Sequence, residues 1–223
     1  YRRSPATVRI LRPIVGDGLF LSEGESWKHQ RRTIAPALAP RVIPMLCHHI
    51  ADATAEALVR LRAEAARPVD MQAIMQFLAL EIAGRSMFSI EMRQHGAALR
   101  AMIAEFAVRL GRPYLFDMLL PPSIPTLHDL ARTRFRKRWI RLMDAIIAAR
   151  LAAPEHETPR DLFDLLRAAR DPETGAAFSH EQLRDQIATM IVAGHETTAV
   201  ALFWALYLLR SEEHTSELQS RET

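Results

Sequence analysis

Six consecutive residues, Ala193-Gly194-His195-Glu196-Thr197-Thr198, place an acid, an imidazole and two alcohols within two helical turns. They interrupt an apolar run, Ile187–Leu209, that contains no proline and only one glycine. A carboxylate in the middle of a buried helix is costly unless it is paired or meets water. A mid-helix glycine costs about 1 kcal/mol relative to alanine, and it removes a side chain where something flat or bulky could press on the helix. Threonine hydroxyls bond the carbonyl one turn back and loosen the ladder. A small-residue gap, an acid and an alcohol on one buried helix suggest a site that handles protons beside a large ligand. The plain alternative is a core helix that turns its polar residues to a neighbouring helix. A zinc-protease helix is excluded, because His-Glu-x-x-His needs a second histidine where Ala199 stands.

A second constellation lies near the start of the chain. Trp27 and Arg31 are four residues apart and share a helix face. An indole N–H and a guanidinium aimed together suit a carboxylate. The plain reading is an exposed basic helix with one buried tryptophan. Cys47-His48-His49 offers metal-ligand types, but consecutive helical residues point apart. No partner cysteine completes a set, so Cys47 is expected to be buried or half-buried.

The elements that position these residues read as helices. Ser179 and Gln182 form a capping box ahead of Leu183, so the central helix should start there. Because it is apolar nearly all round, it should be buried. Ser22 and Glu25 form a second such box before Trp27. Helical spacing extends over 40–66, 69–88, 94–110, 132–151 and 161–170. Residues 1–21 read as short extended or turn pieces, with a loop at Gly16-Asp17-Gly18. That loop lacks the third glycine of a dinucleotide fingerprint. Residues 115–130 read as a proline-broken loop and 153–160 as a linker. The basic start of the 132–151 helix, from Arg132 to Trp139, reads as a solvated surface face. The fold class is mainly α, with a long buried central helix, surrounding helices and little sheet.

Bulk properties narrow the classes. A length of 223 residues holds a large core. Net charge is +3 with the basic residues dispersed, which excludes a nucleic-acid footprint. A single cysteine excludes an internal disulfide and fits a reducing, cytoplasmic setting. No signal or membrane segment is expected, since the polar block divides the central run into two short pieces.

Ala193-Gly194-His195-Glu196-Thr197-Thr198 resembles the central-helix motif of the cytochromes P450, the heme-thiolate monooxygenases, whose form is Ala/Gly-Gly-x-Asp/Glu-Thr-Thr/Ser. Gly16–Phe20, Trp27-x-x-x-Arg31 and Ala35-Pro36-Ala37 resemble the family's propionate-contacting helix. The resemblance implies heme as cofactor, with Trp27 and Arg31 as propionate partners and Ala193 and Gly194 leaving room for O2. Thr197 would hydrogen-bond dioxygen, and Glu196 would relay protons from solvent. It leaves the parts of His29 and Arg32 open. It places Met118, Leu119 and Leu120 near a lid over the substrate channel. It implies insertion of one atom of O2 into a small organic substrate, with electrons from a ferredoxin or flavoprotein reductase. The other reading is a non-enzymatic helical remnant or binding protein.

The resemblance covers 1–209, the middle half of a family member. The Glu-x-x-Arg helix and the cysteine loop have no counterpart here, so no axial metal ligand is assigned and the chain by itself is expected to be inactive. Residues 210–223 have no cap and no periodicity, and they resemble the translation of a sequencing adapter; they are expected to be a non-native tail.

Overall fold

A computed structural model describes residues 2–64, 66–89, 95–121, 123–152, 154 and 158–210. The expected tail, apart from Arg210, and half of the 153–160 linker lie outside these residues. Among the described residues nine α-helices follow one another: α1 (Pro5–Val15), α2 (Gly24–Ile34), α3 (Ile43–Ala63), α4 (Met71–Phe88), α5 (Gly96–Glu105), α6 (Leu115–Leu119), α7 (Leu127–Ala152), α8 (Leu162–Ala168) and α9 (His180–Arg210). No strand occurs among the described residues. α5 runs on into a π-helical turn, Phe106–Leu110.

The α9 capping box forms as the sequence implies. The Ser179 backbone N–H donates to Gln182 Oε1 at 2.9 Å, and Gln182 N–H donates to Ser179 Oγ at 3.2 Å. Its first turns are covered, with Leu183, Ile187, Ala188 and Ile191 buried. They join Phe135, Trp139, Met143 and Ile147 of α7 and Phe88 of α4 in the main core. A smaller core of Ala53, Met75, Leu78, Ala79 and Ala199 packs α4 between α3 and α9.

Burial of α9 is only partial, in contrast to the expected all-round cover. Beyond Ala199 its side chains are half-buried at best, and Trp204, Tyr207, Leu208 and Leu209 are exposed. Among the described residues, Ala199, Leu202 and Phe203 pack this half against α4 and α3. By length and composition α9 also passes as a helix able to cross a membrane, despite its polar block.

Other expectations are corrected. Residues 5–15 are a helix and not turns. Proline at its first turn costs no hydrogen bond, and Ile10, Ile14 and Val15 bury one face of it. The Ser22–Glu25 box does not form: Glu23 is the N-cap residue of α2, without a side-chain cap. Ser22 Oγ instead donates to Gln30 Oε1, and Glu25 pairs with Lys28. The 115–130 segment contains α6, opened by the Tyr114 backbone N–H donating to Asp117 Oδ2 at 3.0 Å, and the start of α7. Met118 and Leu119 are exposed there. Cys47 is exposed rather than buried.

The basic stretch of α7 is not a uniform solvated face. Phe135 and Trp139 enter the core, and Arg132 is 2% exposed. Its guanidinium grips the Asp117 carboxylate at 2.7 and 2.8 Å and donates to the Leu110 carbonyl at 3.0 Å. Arg132 holds the Asp117 carboxyl below the usual carboxylate range. Arg9 of α1 completes this network. It pairs with Asp129 and donates to the carbonyls of Leu120 and Ile124 at 3.1 and 2.7 Å.

Candidate functional site

On α9, Ala193, Thr197, Val200 and Trp204 follow at intervals of three and four, Glu196 stands three after Ala193 and four before Val200, and all five are exposed. They therefore share one open face. Thr197 Oγ1 donates to the Ala193 carbonyl at 2.6 Å, the back-bond the sequence suggests. A Cβ built on Gly194 meets no atom within 4 Å, so the notch beside that hydroxyl is open.

Glu196 and His195 line a cleft of about 730 Å³ whose wall includes Gln76, Arg100 and Arg112 from α4, α5 and the segment beyond. His195 Nε2 lies 3.1 Å from the Gln76 carbonyl. A carbonyl only accepts, so Nε2 carries the proton and Nδ1 is left as an acceptor. Nδ1 is buried without a partner among the described residues, 3.9 Å from Glu196 Oε2. Burial pushes the His195 pKa down, opposed by Glu196.

Trp27 and Arg31 meet as the spacing implies. The guanidinium stands over the indole, 5.7 Å from its centroid. Arg31 is exposed and has no ion-pair partner among the described residues. Their neighbours do something else. His29 and Arg32 both hold Asp171, the 0%-exposed carboxylate of the turn before α9. The Glu173 backbone N–H also donates to it, and together these hold its pKa well below the usual range.

Two glutamines, unnoticed in the sequence, tie α2 to α9. Gln186 Nε2 donates to Gln30 Oε1 at 2.7 Å, and Gln186 Oε1 accepts from the Leu19 backbone N–H at 2.9 Å. Both are nearly fully buried. Gln186 lies seven residues before Ala193 on nearly the same stripe, about 10 Å along the axis. The tie therefore sets the Trp27–Arg31 helix against the face that carries the notch. The Gly16–Gly18 loop wraps the same turn of α9. Gly16 has φ +62°, and a Cβ there would overlap the Asp185 carboxyl. The Asp17 backbone N–H donates to that carboxylate at 2.9 Å. These glycines thus serve close packing, with no ligand role in view. Among the described residues no group of three or more His, Cys, Asp or Glu is placed to hold a metal, Cys47-His48-His49 included.

The model of the family Cytochrome P450 matches residues 2–220. The chain belongs to the cytochrome P450 family. It is 31% identical over 204 residues to cyclooctatin synthase of Streptomyces melanosporofaciens, covering 89% of this chain and 43% of that one. Cytochrome P450 4F1 of Rattus norvegicus is 27% identical over 227 residues, with 93% and 43% covered. The solved cytochrome P450DA heme domain superposes with a TM-score of 0.77 at 25% identity, over 98% of this chain and 47% of that chain. The chain thus spans less than half the length of these relatives.

Proposed function

We propose that this P450 chain forms the distal half of a heme-dependent monooxygenase that inserts one atom of O2 into a small organic substrate. The observation that carries the reading is the exposed α9 face with the Thr197 hydroxyl and the Glu196 carboxylate, together with the open notch that Gly194 leaves one turn before Thr197. A flat macrocycle with two carboxylate arms fits this chain. Gly194 and Ala193 present no bulk, and Arg31, stacked on Trp27, has an open charge for a carboxylate. Trp27 and Arg31 would hold the propionates. Heme, when bound, supplies the iron at which O2 is reduced.

The chain's own residues supply position and protons. The Thr197 hydroxyl donates to Ala193 O here, and it can turn to orient water or O2 in the notch. Glu196 opens to the cleft with Arg100 and Arg112, so it can take protons from solvent and pass them towards Thr197. His195, fixed by Gln76, limits the Glu196 side of the helix. The electron donor is a ferredoxin or flavoprotein reductase. The exposed free thiol of Cys47 fits a reducing, cytoplasmic setting.

The test uses the full-length protein encoded at the source locus. Thr197→Ala should keep heme binding while diverting electrons from product to hydrogen peroxide. An unchanged yield of product per NAD(P)H consumed would remove Thr197 from the mechanism.

A further inference from the structure

A groove away from the α9 face lies between α1 and α7, with a volume of about 640 Å³. That is within the range of small-molecule pockets, roughly 300–1,000 Å³. None of its lining residues belongs to α2 or α9. Its floor is apolar, with Val8 and Pro13 from α1 and Ile140 from α7. Its wall is cationic. Arg9 and Arg132 are consumed internally by Asp117 and Asp129. Arg12 already holds Asp17, and Arg136 donates to the Arg12 carbonyl and stands 3.8 Å from Asp185. Lys137 is exposed at the rim and has no ion pair among the described residues.

We propose that this groove is a peripheral site for a single-chain carboxylate amphiphile, a fatty acid. Its head would meet Lys137 beside Arg136, and its tail would lie over Val8, Pro13 and Ile140. One unmet cation favours a monoanion. The run from Pro5 to Pro13 along α1 spans about 12 Å, the reach of a medium-length acyl chain. The single acid in the lining, Asp129, is turned to Arg9 and does not oppose the head. A neutral amphiphile would leave the ammonium unmatched, and a short carboxylate would leave the floor uncovered.

The inference stands apart from the oxygenase reading and is tested on the chain without heme. Sodium decanoate, below its micellar range, is titrated calorimetrically into the protein. One saturable site is expected. Lys137→Glu should weaken it about tenfold or more, and Ile140→Asp should weaken it comparably. Arg31→Gln, on the other face, should leave the affinity unchanged. Lys137 is exposed, so its replacement leaves folding intact, checked by circular dichroism. Equal binding of 1-decanol or sodium butyrate, insensitivity to Lys137→Glu, or loss on Arg31→Gln would each overturn the proposal.

Discussion

Gln186→Leu removes the side chain that sets α2 against α9, and its cost can be worked from the contacts. Gln186 is 1% exposed and makes two hydrogen bonds, to the Leu19 backbone N–H and to Gln30 Oε1. Leucine has a similar volume, so little cavity is left. The Leu19 N–H loses its acceptor in a partly buried place, which costs about 1–3 kcal/mol. Gln30 Oε1 keeps the Ser22 hydroxyl at 3.2 Å, so its loss is the net worth of one bond, about 1 kcal/mol. Leucine's own burial offsets part of this, leaving a net loss of about 2 kcal/mol. With a urea slope of roughly 2–3 kcal/mol/M, the midpoint should fall by about 0.7–1 M. Gln30→Leu and the double variant complete a cycle. The two losses should be less than additive by more than about 0.5 kcal/mol, because either substitution breaks the same bond. Losses that add, or a midpoint unmoved by Gln186→Leu, would show that the glutamine pair does not tie the helices.

Three further outcomes follow from the same geometry. Arg132→Met should cost about 3 kcal/mol, because it leaves the buried Asp117 carboxylate with Arg9 at 3.7 Å as its remaining cation, and Asp117→Asn on top of it should recover part of the loss; a double variant no better than the single would refute a charge effect. Gly18→Ala places a Cβ 2.7 Å from the Asp185 carbonyl and should cost about 1–3 kcal/mol in urea unfolding; a wild-type midpoint would show that the loop has room to retreat. His195 has its pKa lowered by burial, so between 6.5 and its folded value the unfolded chain binds the proton and the folded chain does not. Its contribution is therefore full above pH 6.5 and is lost as pH falls through the folded value. The imidazole resonance of His195 should titrate below 6.5, and His195→Gln should flatten that part of the stability–pH curve; a midpoint above 6.5 would contradict the burial argument.

Local chemistry carried much of this into the sequence. The Ser179–Gln182 box, the Thr197 back-bond and the Trp27–Arg31 pairing depend on residues three or four apart, and each stands where the spacing puts it. The Ser22–Glu25 box had the same spacing and failed, since Ser22 is drawn to Gln30 on the next turns. Long-range partners left no local trace. Nothing near Gln186 announces Gln30, and nothing near Arg132 announces Asp117. In sequence α1 reads as turn pieces, because Pro13 looks like a breaker; Pro5 at the first turn and a buried apolar stripe outweigh it. The α9 face was half legible: its residue types showed in sequence, while its exposure depends on which elements cover it.

Arg9 works as a noncovalent cross-link. It joins α1 to a segment 111–120 residues further along the chain, using both faces of a rigid fork. Lysine, with one ammonium, could not reach the Asp129 carboxylate and two carbonyls at once. Thermal motion of α1 and of the anchors Leu120, Ile124 and Asp129 is thereby shared, so the two sides should behave as one mechanical body. Amide exchange that quickens in one should quicken in the other, although they are remote in sequence.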